Sequence, residues 1–258
     1  MGETGNASDP LGRKIFFLYP TAVVQNRIIS ELVQQEFETY MAKDKDAFMR
    51  VLKKYPDSIA FVDINEGMTE KEWEVWISGI ISTPATQGLS VGIVTANDDE
   101  LIKRKYLMAF KVPCGYTVLK FDLDKAIAHI IEVLQAVNAK GRRKFIRAVT
   151  GGEANTTVNV PLNGLFIKGQ IRDVSVVGLS FTLEGNPEIP KNTLCKDVQV
   201  KLQTSLLKTE GIIIGSRMEG KDTIYVFLFT QRIDPDVRTR IRKYIQHNLQ
   251  TKMDSELR

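Results

Sequence analysis

The chain has 258 residues, 43% hydrophobic and 26% charged, with a formal net charge of +4, a balance that fits a globular chain long enough for two domains. Two cysteines, Cys114 and Cys195, exclude a disulfide framework and fit a reducing compartment. No apolar run approaches the roughly 18 residues of a membrane span. Residues 1–13 are polar and Gly-rich with no apolar signal core, and they are read as a disordered tail on a cytoplasmic protein.

In chain order, the apolar run 14–19 reads as a buried strand, and 22–35 as a helix with Val24, Ile28, Leu32 and Val33 at helical spacing. A short strand over 37–41 precedes a helix over 46–54 that carries Phe48, Val51 and Leu52 on one face. A strand over 58–64 follows, and Thr69 with Glu72 three residues on is a capping-box pattern that opens a helix. Strand 89–95, helix 98–110, strand 115–120 and the amphipathic helix 122–138 close this half. Strands alternating with helices imply a parallel sheet covered on both faces, an α/β domain over 14–138.

After Gly141, a well-placed helix terminator, the hydrophobic period changes to two. Strands are expected over 165–175, 179–183, 198–204, 210–216 and 223–229, separated by Gly, Pro and Asn. This predicts an all-β antiparallel barrel or sandwich over 139–258, closed by a helix over 235–249 with Val237, Ile241, Tyr244, Ile245 and Leu249 on one stripe.

The chemistry lies in two segments of that second half. Lys140, Arg142, Arg143, Lys144 and Arg147 cluster with no acid among them. Arg143 and Arg147 are four apart, which in an extended chain puts them on one side, about 13 Å apart at ~3.3 Å per residue. A guanidinium is planar and permanently charged, so it can fork onto a phosphate or onto the O6/N7 edge of guanine. Further on, Asp173 and Ser175 share one side of a strand end. The carboxylate can accept from guanine N1–H and N2–H₂, and the hydroxyl can bond a phosphate oxygen. Gly178 is expected to supply a tight turn and to let backbone approach a ligand. Each segment alone also reads as a solvated basic linker or a plain hairpin.

Together, Arg-x-x-x-Arg (Arg143, Arg147) followed by Asp-x-Ser-x-x-Gly (Asp173, Ser175, Gly178) in a barrel-like stretch resembles the PilZ family, from about residue 141 to 250. The resemblance implies an arginine segment that closes over cyclic di-GMP bound on the barrel. Arg143 and Arg147 would contact phosphate and guanine, Asp173 and Ser175 the ligand, and Gly178 would be the structural member. Arg142, just before the motif, matches members that hold a stacked ligand pair.

The alternation over 14–138 resembles a response-regulator receiver. Asp63 ends the third strand at the phospho-acceptor position, Thr95 and Ala96 end the fourth, and Lys120 ends the fifth. The acidic pair that receivers carry after the first strand is missing, because Leu18, Tyr19, Pro20 and Thr21 stand there, and Phe121 replaces the usual Pro. A lone carboxylate holds Mg²⁺ poorly, so this half reads as a degenerate receiver. Gly215 to Lys221 imitates a P-loop, but Asp222 replaces Ser/Thr and a strand follows. His129 and His247 lack metal-ligand spacing.

The reading is therefore a cyclic di-GMP-binding sensor or adaptor and not an enzyme, with no cofactor or metal and with a protein partner that reads a change of domain arrangement. A phosphorylatable regulator and a nucleic-acid-binding barrel are the alternatives. The second would need aromatics interleaved with the arginines, and only Phe145 is so placed.

Overall fold

The computed structural model describes residues 12–120, 122–151, 153–231 and 233–257. The chain divides into two compact units. The first runs to Lys144 and takes in the chain from Gln250 onward, and the second is Phe145–Leu249.

The first unit is a five-stranded parallel sheet in the order β2-β1-β3-β4-β5, with β1 (Ile15–Leu18), β2 (Thr39–Ala42), β3 (Ile59–Asp63), β4 (Ser90–Thr95) and β5 (Tyr116–Val118). This is the doubly wound order whose ligand crevice lies at the carboxyl ends of β1 and β3, where the strand order reverses. β1 and β3 are buried along their whole length, as strands covered on both faces must be. The helices are α1 (Ser30–Gln34), which continues a π-helical turn over Val24–Ile29, then α2 (Lys45–Lys54), α3 (Glu70–Ser82), α4 (Glu100–Arg104) and α5 (Leu123–Ala136). The expected capping box forms in full at Thr69 and Glu72, and Asp122 caps α5 by accepting from Lys125 N–H at 3.0 Å.

Two boundaries differ from the sequence reading. Arg13, assigned there to the tail, donates Nε to the Asp57 carbonyl at 3.0 Å and Nη2 to Ser90 Oγ at 2.8 Å. Its backbone N–H donates to Ala139 O at 2.9 Å. Residues 1–11 lie outside the described residues. The units also divide after Lys144 and not at 138/139, because Ala139 is buried and Lys140 bridges to Gly12.

The second unit is a closed antiparallel barrel of six strands, β8-β7-β10-β11-β12-β9, closed by the β8–β9 pairing, with the two-residue β6 (Ala148–Val149) added to β8. The strands are β7 (Thr156–Leu162), β8 (Leu165–Ser175), β9 (Gly178–Leu183), β10 (Thr193–Leu202), β11 (Ser205–Glu219) and β12 (Asp222–Phe229). Closure removes open edges, and in the interior Phe181 stacks on Tyr225 and meets Phe227 edge-on. Ile241, Tyr244 and Ile245 of α6 (Pro235–Leu257) join that core, with Val237 and Leu249 packed against it.

Strand β7 was not anticipated from the sequence. Pro161 breaks its pattern, yet the β7–β10 pairs stop at Asn159, so no ladder bond is lost there. The readable signal was Asn163-Gly164, whose φ values of 50° and 80° form the β7–β8 hairpin.

Gly178 does not serve a left-handed turn. A Cβ built on it would lie 2.2 Å from Phe227 O and 3.1 Å from Leu228 Cα, because β12 backbone passes directly over it. Gly215 has no atom within 4 Å of such a Cβ. Gly178→Ala is therefore expected to destabilise the barrel by roughly 3 kcal/mol, whereas Gly215→Ala changes stability by no more than about 0.5 kcal/mol. Urea denaturation of the two variants checks the contrast, and equal midpoints would contradict it.

Candidate functional site

The barrel face around Asp173 is built on a bulge. In the β8–β9 ladder Ile171 pairs with Phe181 and Asp173 with Ser180, so Arg172 is an extra residue on β8. Ile171 and Val174, three apart, both point into the core. An uninterrupted strand would send residues 171 and 173 to the same side, which would drive the Asp173 carboxylate into an apolar barrel. The bulge turns it outward instead.

Thr150 holds the bulge. Its N–H donates to Arg172 O at 2.9 Å, and its hydroxyl donates to Ile171 O and, at 3.2 Å, to Arg172 O. Just before it, Val149 of β6 pairs with Asp173 and Ala148 with Val174. Phe145 and Ile146 pack against the barrel core. Arg147 lies between these anchors, half exposed, with Nη1 3.6 Å from Asp173 Oδ1. The other carboxylate oxygen, Oδ2, accepts from the Ser180 hydroxyl.

Ser175 is buried, and its hydroxyl donates to Gly178 O at 3.1 Å. It ties together the ends of the two-residue loop Val176–Val177, whose last carbonyl accepts from Phe229 N–H at 3.0 Å. The structure thus gathers Arg147, Asp173, Ser175 and Gly178 in one unit, and it adds Thr150 and Ser180, which sequence reasoning missed. The signal for Ser180 was its phase. Once the hairpin 175–178 is recognised, Ser180 falls opposite the end of β8. Arg142 and Arg143 are exposed and lie before the division at Lys144. Residues 141–147 form no regular strand, so the period-two spacing of Arg143 and Arg147 does not apply.

In the first unit Asp63 sits at the receiver-like position but is 1% exposed. Its oxygens accept from Thr21 N–H at 3.4 Å and Asn65 N–H at 3.1 Å. Tyr19, with φ 51°, follows β1 where an acidic pair would stand. Its ring packs edge-on to Trp73 at 6.0 Å and fills the space beside Gly67. Thr95 Oγ1 donates to Asn65 Oδ1 at 2.7 Å, and Lys120 pairs with Asp98 at 3.2 Å. His129 and His247 are exposed on helices. The 215–221 stretch is the β11–β12 hairpin, which cannot cradle phosphates.

A closed six-stranded barrel led by Arg-x-x-x-Arg, with Asp-x-Ser-x-x-Gly at the β8–β9 hairpin, defines the PilZ class of domain. The PilZ domain model matches residues 141–247, and that part of the chain is a PilZ domain. Comparison with curated proteins gives no match. Among solved structures, the chain is similar to the PilZ domain with c-di-GMP of YcgR from Escherichia coli, at 15% identity and TM-score 0.36, over 45% of this chain and 93% of that one. It is also similar to the K. pneumonia MrkH–c-di-GMP complex, at 18% identity and TM-score 0.36, over 41% of this chain and 51% of that one. A third similar structure is the Mn²⁺-bound response regulator Rcp1, at 15% identity and TM-score 0.38, over 48% and 92%.

Burial pushes the Asp63 carboxyl above the ordinary carboxylate range, against the two backbone N–H groups that lower it. Relative to the unfolded chain, folding thus holds the Asp63 proton more tightly. Stability associated with Asp63 is full below the unfolded pKa and is lost as pH rises through the folded value. Asp63→Asn is expected to raise the melting temperature modestly at pH 7, with the gain shrinking as pH is lowered toward 4. A gain that grows on acidification would contradict this assignment.

Proposed function

We propose that the protein is a cyclic di-GMP receptor whose ligand lies on the barrel face around Asp173. The observation that carries the reading is the outward Asp173 carboxylate with the Arg147 guanidinium beside it, in a PilZ domain that has the full motif. Asp173 offers acceptors to the guanine edge, while Arg143 and Arg147 supply forked donors to phosphate and to guanine O6/N7. Ser175 and Gly178 hold the hairpin that ends this face, and Arg142 adds a cation for a second, stacked ligand.

In this reading the output is mechanical. Binding neutralises the basic stretch 140–147 and pins Arg143 and Arg147 where the chain first passes between the two units. Their relative position then shifts, and a protein partner reads the change. A ligand moves such an equilibrium only by its differential affinity for the two arrangements, and several charge-assisted bonds made in one of them supply it. The receiver-like unit acts here as a scaffold and not as a phosphoryl acceptor, since Tyr19 and Pro20 stand where a Mg²⁺-binding acidic pair would be.

Titration calorimetry tests the site. Wild type is expected to bind two cyclic di-GMP per protomer, and Arg142→Leu to bind one. The Arg143→Ala/Arg147→Ala variant is expected to lose roughly 3 kcal/mol or more, a hundredfold in affinity. Saturating ligand should also slow hydrogen exchange across 139–149. Wild-type binding by the double variant would sink the site, and unchanged exchange would remove the coupling.

A further inference from the structure

Within the cyclic di-GMP reading, on which this inference rests, the geometry points to Ser180 as the positioning residue that sets how Asp173 meets the guanine edge. Ser180 is outside the Arg-x-x-x-Arg and Asp-x-Ser-x-x-Gly motifs. It comes to Asp173 because the β8–β9 hairpin closes at Ser175 and Gly178, so that Val174 meets Leu179 and Asp173 stands directly opposite Ser180, beside the bulge at Arg172. Opposed Cβ atoms in an antiparallel pair are about 5 Å apart, within reach of a seryl hydroxyl. The hydroxyl donates to Asp173 Oδ2, while Arg147 Nη1 lies 3.6 Å from Oδ1.

The χ2 torsion of an aspartate is broad, so an untethered carboxylate presents its oxygens in many orientations. A carboxylate has about four lone-pair sites. Ser180 fills one on Oδ2 and Arg147 faces the other oxygen, so one acceptor direction on each oxygen remains for a ligand. Guanine presents two parallel donors, N1–H and N2–H₂, and both bonds form together only when the carboxylate plane is fixed in the plane of the base. Ser180 is 5% exposed, so water does not readily replace its hydroxyl. The hydrogen bond therefore supplies the orientation that makes Asp173 a two-point reader of guanine.

The test crosses a protein change with a ligand change, using Ser180→Ala, Ser180→Thr and Asp173→Ala with cyclic di-GMP and with its inosine analogue, which lacks the 2-amino group. Wild type should prefer cyclic di-GMP roughly tenfold, the worth of one hydrogen bond to a charged group. In Ser180→Ala that preference should shrink toward unity, and Ser180→Thr should restore it. An unchanged preference in Ser180→Ala, or a parallel loss for both ligands as a merely structural residue would give, overturns the proposal. Asp173→Ala separates the two levels. If it abolishes binding while Ser180→Ala keeps the wild-type preference, only the role of Ser180 fails. If Asp173→Ala binds like wild type, the reading of the barrel face fails with it.

Discussion

Arg172 is one residue more than the β8–β9 ladder can pair, and the chemistry of the barrel face depends on that surplus. A charged carboxylate inside an apolar barrel costs many kcal/mol unless it is neutralised or paired. With the bulge, Ile171 and Val174 both fill the core and Asp173 faces out. The bulge in turn leaves carbonyls that need donors, and Thr150 supplies them from the chain just after the arginine segment. One backbone irregularity thus fixes the carboxylate, the strand β6 that pairs beside it, and the position of Arg147 two residues before Val149.

The two units each carry an aspartate at a strand end, and they treat it in opposite ways. Asp63, at the carboxyl end of β3, is closed in by backbone donors and by a chain that runs through Tyr19 and Pro20 in place of acids. Its burial raises the carboxyl above the ordinary range, and no acid stands at residues 18–21 to help hold Mg²⁺. Asp173 keeps part of its side chain exposed, with a guanidinium at one oxygen and a hydroxyl at the other. The doubly wound sheet keeps its strand order without an acidic pair after β1, while the barrel face carries a polar, partly exposed cluster at Asp173.

The alternation of apolar runs and helical stripes made the parallel sheet readable from the sequence, because strands buried on both faces leave no ambiguity of phase. The Arg-x-x-x-Arg and Asp-x-Ser-x-x-Gly spacings were readable through their resemblance to the PilZ family, whose model matches residues 141–247. Less was legible where tertiary structure overrides local pattern. Pro161 hid β7, although Asn163-Gly164 announced its hairpin. Gly178 suggested a turn, yet its reason is the passage of β12 backbone 2.2 Å from where its Cβ would be. A one-residue slip in register has no signature in a single strand, so the bulge at Arg172 could not be read from β8, whereas the pairing of Ser180 with Asp173 follows from the hairpin at 175–178.

In the proposed function the ligand engages the face built on this bulge. Backbone amide shifts in ¹⁵N NMR spectra, followed through a titration with cyclic di-GMP, test it most directly. The largest changes are expected on residues 142–150, 172–175 and 178–180, with the carboxyl ends of β1 and β3 little affected. Changes centred on the surroundings of Asp63, or shifts absent from Asp173 and Ser180 at saturation, would contradict it.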